Sequence, residues 1–307
     1  MQVIQTLIDN TEKVIVGKRH VIELAVISLL CRGHVLLEDV PGIGKTMLAR
    51  ALARSVAVGM KRLQCTPDLL PSDITGVPIY NQKTGDFEFR PGPVFTHILL
   101  ADEINRATPR AQSALLECME EFRVSVDGST YDLPQLFMVL ATQNPIDMVG
   151  THTLPEAQLD RFFVRLNVGY PTLEEEVKIL GAQALVHPIE QLQAVTTESE
   201  ILAAREAVKQ IHISNEVAVY IARITAATRQ HPDLRLGASP RGTLALARGT
   251  RGMAFLRDRD YVTPDMVKSM AGPVLEHRLI VRPQAAALGK TAGVILQEVL
   301  DQVQPPL

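Results

Sequence analysis

Apolar positions fall into two rhythms along the chain. In the first half, short apolar runs alternate with stretches of helical spacing. Residues 34–38 (HVLLE) form one such run, and within residues 45–58 Leu48, Leu52 and Val56 recur one helical turn apart. Further runs read as strands at residues 61–66 (KRLQCT), 96–103 (THILLADE), 136–141 (LFMVLA) and 164–168 (VRLNV). Thr108-Pro109 has the form of an N-cap and a first helical proline, opening a helix that turns Leu115, Leu116 and Met119 inward. Short apolar strands alternating with helices predict a parallel sheet covered on both faces, with ligands at the carboxyl ends of its strands.

Two segments break this rhythm. Residues 77–90 alternate apolar and polar positions around Gly85, and residues 122–133 do so around Asp127-Gly128, so both are expected to be β-hairpins. From Pro171 onward the strand-like runs fade. Thr197 and Glu200 fit a capping box, Val217, Tyr220, Ile221 and Ile224 share one helical face, and Ser239-Pro240 reads as an N-cap with a proline at the first helical position. Arg241 therefore stands at a helix start, where the dipole disfavours a cation. Either an anion holds it there or it is a solvated surface arginine. The expected organisation is an α/β unit over residues 1–170, with hairpin inserts near 74–95 and 121–135, then a smaller α-helical unit over residues 171–307.

Composition agrees with a globular protein, since 307 residues that are 46% apolar can bury a sizeable core. A net charge of -3 with a pI near 6.3 gives no overall electrostatic footprint for nucleic acid or anionic lipid. No membrane span is expected: the most apolar early segment, residues 21–31, is interrupted by Glu23 and too short. Cys31, Cys65 and Cys118 are widely spaced without a zinc-like pattern and read as buried free thiols in a reducing, cytosolic setting.

The candidate chemistry begins in EDVPGIGKT, residues 38–46. Pro41-Gly42-Ile43-Gly44-Lys45-Thr46 follows an apolar strand and opens a helix, the context in which successive backbone amides and a helix amino terminus cradle phosphate. Lys45 would reach the β- and γ-phosphates, and the Thr46 hydroxyl would ligate Mg2+. Asp39 stands where the usual loop has its first glycine and is expected to point away, at the loop's outer entry. Gly289-Lys290-Thr291 repeats the tripeptide without a preceding strand or upstream glycines and is rejected as a site.

At the end of the 96–103 strand, Asp102 and Glu103 lie side by side. They could be a solvated pair opening a loop; downstream of a phosphate loop they suit a Mg2+-linked acid and a residue that orients attacking water. Asn144, in Thr142-Gln143-Asn144-Pro145, marks a turn or holds the nucleophilic water beside those acids.

Together these residues resemble the MoxR branch of the AAA+ ATPases, in the group with an insert in its second helix. The likeness rests on Val14-Ile15-Val16-Gly17-Lys18, EDVPGIGKT, LLADEINRA, ATQNP, LPEAQLDRF and ASPRG, firmly over residues 14–163 and more loosely beyond. It implies a P-loop AAA+ nucleotide-binding domain followed by a small all-α lid domain. It also implies that ATP and Mg2+ bind, with Val16, Gly17 and Met47 joining Pro41, Gly42, Ile43, Gly44, Lys45, Thr46 and Asp102 in contacting them. Asp102 and Thr46 correspond to the Mg2+ contacts, Glu103 to the water-activating base, Asn144 to the first sensor, Arg161 to an arginine finger inserted into a neighbouring subunit, and Arg241 to the second sensor.

The resemblance further implies an ATP-driven remodelling or maturation factor, a hexameric ring acting on a protein client with a von Willebrand type A domain partner. A chelatase-type ATPase subunit, a nucleic-acid motor and a scaffold that barely cleaves ATP are the alternatives. Nucleic acid is not the expected partner, because Lys83, Arg90 and Arg123 put few basic residues in the hairpins.

Overall fold

The protein is described by a computed structural model covering residues 2–40, 42–144, 152–182 and 187–306. Helices α1 (Gln2–Glu12) and α2 (Arg19–Leu30) open the chain, and every α2 residue from Val21 to Leu30 is buried. Burying Glu23 there is costly without partners; Arg257 approaches it at 3.1 Å and Arg19 at 3.7 Å. No helix among the described residues is long and apolar enough to cross a membrane.

Next come β1 (Val35–Glu38), α3 (Lys45–Val56), β2 (Met60–Gln64), the short α4 (Pro71–Thr75), the hairpin β3 (Gly76–Asn81) and β4 (Asp86–Pro91), then β5 (Ile98–Asp102) and α5 (Pro109–Glu121). A second hairpin, β6 (Arg123–Val126) and β7 (Ser129–Asp132), precedes β8 (Met138–Gln143), α6 (Glu156–Leu159) and β9 (Val164–Leu166). Among the described residues, five of these strands form one parallel sheet in the order β2-β5-β8-β1-β9. Alternate side chains serve opposite cores, as the strand period of two requires. Val35, Leu37, Ile98, Leu100, Met138 and Leu140 pack towards α1 to α3, whereas Leu36, Leu99, Ala101, Val139 and Ala141 pack towards α5.

The hairpins form at their expected turns, with Gly85 at φ +76° in the first and Asp127 and Gly128 at +48° and +75° in the second. They touch each other, for the Phe89 ring stacks on Tyr131 with centroids 4.1 Å apart.

Beyond β9 the chain is helical: α7 (Leu173–Ala182), α8 (Pro188–Gln191), α9 (Glu198–Gln210), α10 (Asn215–Gln230), α11 (Pro240–Leu256), α12 (Pro264–Leu275), α13 (Pro283–Ala287) and α14 (Ala292–Gln302). The expected caps are present, Thr197 accepting from the Glu200 amide and Ser239 from the Gly242 amide. One departure from an all-helical unit is an antiparallel ribbon of β10 (Leu234–Leu236) and β11 (Ile280–Val281), too short to leave a periodicity in the sequence. Helix α11 packs on α2 closely enough that a methyl on Gly252 would lie 2.8 Å from Ile27. Buried Arg278 clamps the lead-in to β9, pairing with Asp160 at 2.7 Å and donating to the carbonyls of Phe162 and Phe163.

Candidate functional site

Residues 39–44 carry the chain from β1 into α3; Pro41 lies outside the described residues. Gly42 and Gly44 sit at φ +89° and +94°, the left-handed region that side chains resist. A methyl at Gly42 would meet no atom within 4 Å, so the concave side of the turn is open. Gly44 caps α3, whose first turn carries no acidic residue, leaving its amides and dipole available to an anion. Lys45 donates from Nζ to the Asp39 carbonyl at 2.6 Å. Burial pulls its pKa below the ordinary lysine value, while Asp39, Asp102 and Glu103 oppose that shift. Thr46 follows, half-buried.

Asp39 is engaged by backbone amides. Its two carboxylate oxygens accept from the amides of Val40 at 2.9 Å and Gly169 at 2.6 Å, tying the loop to the segment after β9.

The sheet register brings the acidic pair to the same edge. Because β5 pairs with β8, Asp102 and Glu103 meet Thr142, whose hydroxyl donates to Asp102 Oδ1 at 2.6 Å and accepts from the Glu103 amide at 2.8 Å. The shorter bond has the length of a charge-assisted O–H to carboxylate contact. The bond from the Glu103 amide helps hold that residue at φ +57°, an unfavourable value for a residue with a side chain. Arg62 on β2 reaches the other Asp102 oxygen at 2.6 Å, and Glu103 contacts Arg106 at 3.0 Å and Gln64 at 3.2 Å. Asn144 is buried just past β8, its carbonyl accepting from Asn105 at 3.3 Å. Pro145, the other half of the Asn-Pro reading, lies outside the described residues.

Beside the glycines is a cavity of about 380 Å³ lined by Val14, Val16, Ile43, Met47, Tyr170 and Ile179, among others. Its volume and apolar walls suit a purine ring. Gly17, at φ +74°, lets α7 approach, since a methyl there would fall 1.8 Å from Glu175. Glu175 pairs with Lys18 at 3.4 Å, and Lys18 donates to the Tyr170 carbonyl at 2.8 Å.

Arg161 and Arg241 are not with this group. Both bind one carboxylate, Glu120 near the end of α5, Arg161 at 3.1 Å and Arg241 in a short contact. Met119, beside Glu120, meets His34 at 2.9 Å, and the Phe163 amide bonds to the His34 carbonyl at 2.8 Å. His34 precedes β1, so the two arginines lie at the amino edge of the sheet, while Lys45, Asp102, Glu103 and Asn144 lie at the carboxyl edge. Of the two alternatives for Arg241 the first holds: an anion keeps it at the helix start, and that anion is Glu120 of its own chain.

Several contributors were not read from the sequence. Thr142, Arg62 and Glu120 act through pairings between distant segments, and Tyr170 and Ile179 join the cavity only because α7 folds back over residues 14–18. Only Thr142, a hydroxyl near the end of an apolar strand two residues before Asn144, left a local signal. In the rejected tripeptide, Lys290 pairs instead with Asp233 at 2.7 Å and Glu298 at 3.1 Å, consistent with a structural lysine.

Two family profiles match the chain: the ATPase family associated with various cellular activities (AAA) over residues 34–164, and the AAA lid domain over residues 226–299. The uncharacterised protein YeaC of Bacillus subtilis (strain 168) is 48% identical over 300 residues, covering 98% of this chain and 94% of that protein. Chaperone MoxR1 of Mycobacterium tuberculosis is 39% identical over 312 residues, covering 99% of this chain and 82% of that protein. A crystal structure of a proposed ATPase from Cytophaga hutchinsonii superposes with a TM-score of 0.93 at 38% identity, covering 100% of this chain and 96% of the other.

Proposed function

The chain belongs to the MoxR family of AAA+ ATPases, and from that premise we propose that it hydrolyses ATP in a head-to-tail ring whose active sites are each built from two protomers. The observation that carries this reading is the separation of the candidate groups to opposite edges of one sheet. Lys45, Thr46, Asp102, Glu103 and Asn144 form one half-site, and Arg161 with Arg241 forms the other. Opposite edges of one protomer become neighbours when copies pack head to tail.

In this reading the amides of residues 42–46 and the Lys45 ammonium bind the phosphates, and the base enters the cavity bordered by Val16, Gly17 and Met47. Glu103 accepts the proton of the attacking water, which Asn144 orients. Arg161 and Arg241, released from Glu120, place positive charge on the neighbour's transferred phosphoryl group, worth on the order of 10³ to 10⁵ in rate for a trans-acting arginine. The Thr46 hydroxyl and Asp102 carboxylate are hard oxygen donors that fit a magnesium ion, which when bound would neutralise charge on the phosphates.

The work driven by this cycle is remodelling or maturation of a protein client by a hexameric ring, with an adaptor bearing a von Willebrand type A domain. The stacked hairpins support that assignment, for they project Tyr80 and Phe87, 53% and 72% exposed, and share one aromatic contact through which strain could pass. Three buried free cysteines suit a cytosolic location.

Complementation tests the composite site. Lys45→Ala and Arg161→Ala proteins should each be nearly inactive alone, yet mixing them should restore ATPase activity, since some interfaces then unite an intact half from each. A mixture no more active than the sum of its parts refutes the composite site.

A further inference from the structure

Between α2, α9 and α11 lies a second cavity, of about 470 Å³, that the proposed nucleotide chemistry does not use. Arg32, Arg205, Lys209, Arg248 and Arg251 line it, and Glu206 is its one acidic residue. Lys209 already engages Glu206 at 2.7 Å.

The four arginines have no carboxylate within ion-pair distance among the described residues. Their partners carry no charge. Arg205 donates to the carbonyls of Leu29 and Gln135, and Arg251 to that of Ile211. Arg32 lies over the Phe122 ring at 3.8 Å, and Arg248 over Phe163 at 5.6 Å. Arginines elsewhere in partly or fully buried positions find acids: Arg278 has Asp160, Arg165 has Glu38, and Arg161 has Glu120.

Arg205 makes the deficit acute. The residue is 6% exposed, and its Nη2 has no acceptor among the described residues. Burial and the neighbouring Arg32 pull its pKa down to about 10, which still leaves it charged at neutral pH. A buried cation without a counter-charge is expensive to retain unless something supplies the missing anion.

We propose that this cavity binds a small phosphorylated anion, with phosphoryl oxygens facing the arginines and any organic portion against Leu30, Leu202 and Val208. Guanidinium groups favour phosphate because their planar forks match its oxygens, and a volume of about 470 Å³ admits a diphosphate with an organic group attached. The site is separate from the glycine loop, sharing none of its lining residues.

The test uses Lys45→Ala protein, in which the nucleotide site is disabled, titrated calorimetrically with inorganic pyrophosphate and separately with ADP. One pyrophosphate should bind per chain, and ADP should bind more tightly if the apolar wall is used. Arg205→Gln should abolish binding; because that buried change could impair folding, Lys209→Glu with Arg251→Glu at the rim provides the second arm and should weaken binding at least tenfold. Equal affinity in the rim variant, or no binding to the Lys45→Ala protein, overturns the proposal. So does loss of binding on Arg161→Ala with the rim variant unaffected, which would put the anion on the Arg161–Arg241 pair beside Glu120. If pyrophosphate fails to bind while the rim substitutions reduce oligomer mass, the cavity is an intersubunit surface and the proposal is likewise overturned.

Discussion

Replacing Thr142 by valine keeps the side-chain outline at the end of β8 but removes the hydroxyl that joins the two acids. Two bonds disappear: the donation to Asp102 at 2.6 Å and the acceptance from the Glu103 amide at 2.8 Å. The first involves a charged group and contributes about 1.5–3 kcal/mol, and the second about 1 kcal/mol. Glu103 at φ +57° costs roughly 1–2 kcal/mol relative to ordinary helical geometry, so without its amide partner the backbone gains by leaving that conformation. A shift of about 2 kcal/mol against the working geometry cuts its population roughly 30-fold, at 1.4 kcal/mol per tenfold. Steady-state ATPase assays should therefore show kcat falling about 10- to 30-fold. KM for ATP should change little, because Lys45 and the base cavity are untouched, and Thr142→Ser should restore most of the rate. A Thr142→Val protein with kcat within twofold of the parent, or one in which only KM moved, would rule out the Thr142 bridge as a determinant of the rate.

Three further outcomes are expected. Arg62→Ala removes the cation on Asp102; such a half-exposed pair contributes about 0.2–1 kcal/mol, so half-maximal ATPase should need up to about fivefold less Mg2+, and an unchanged Mg2+ titration would count against competition there. Glu120→Gln frees Arg161 and Arg241 from their shared carboxylate and should lower the protein concentration giving half-maximal specific activity; a higher concentration would show that Glu120 positions the arginines rather than restraining them. His34 is buried neutral, accepting at Nδ1 from the Val139 amide at 3.0 Å, and burial depresses its pKa from 6.5 to about 4. Since the unfolded chain binds the proton more readily, stability should fall as pH drops from about 6.5 towards 4, by about 1.4 kcal/mol per pH unit for this residue, with His277, depressed in the same direction, adding to the loss. Thermal melts of the parent and a folded His34→Gln protein across that range check it: equal pH slopes would remove His34 as a source.

Strand boundaries show how far local pattern reaches. The run at residues 136–141 predicts a strand that ends at Ala141, but β8 runs from Met138 to Gln143. Leu136 and Phe137 are buried as apolar residues should be, yet they precede the strand; pairing of Leu37 with Thr142 and of Glu38 with Gln143 extends it at the other end. That extension carries the Thr142 hydroxyl to Asp102. Hairpin turns and helix caps were more legible, because Asp127-Gly128, Thr197 and Ser239 act on backbone groups only a few residues away.

Periodicity and turn chemistry in this chain determine the alternating strands and helices, the glycine loop at the head of α3, and the acids at the end of β5, for each depends on interactions within a few residues. Which of these groups share an edge was decided by the tertiary fold. Glu120 holds Arg161 and Arg241 from positions 41 and 121 residues away, and the uncompensated cations around Arg205 come from α9, α11 and the turn after α2. Charge balance inside a protein depends on distance through space, which strand order and helix packing set and which no local pattern encodes.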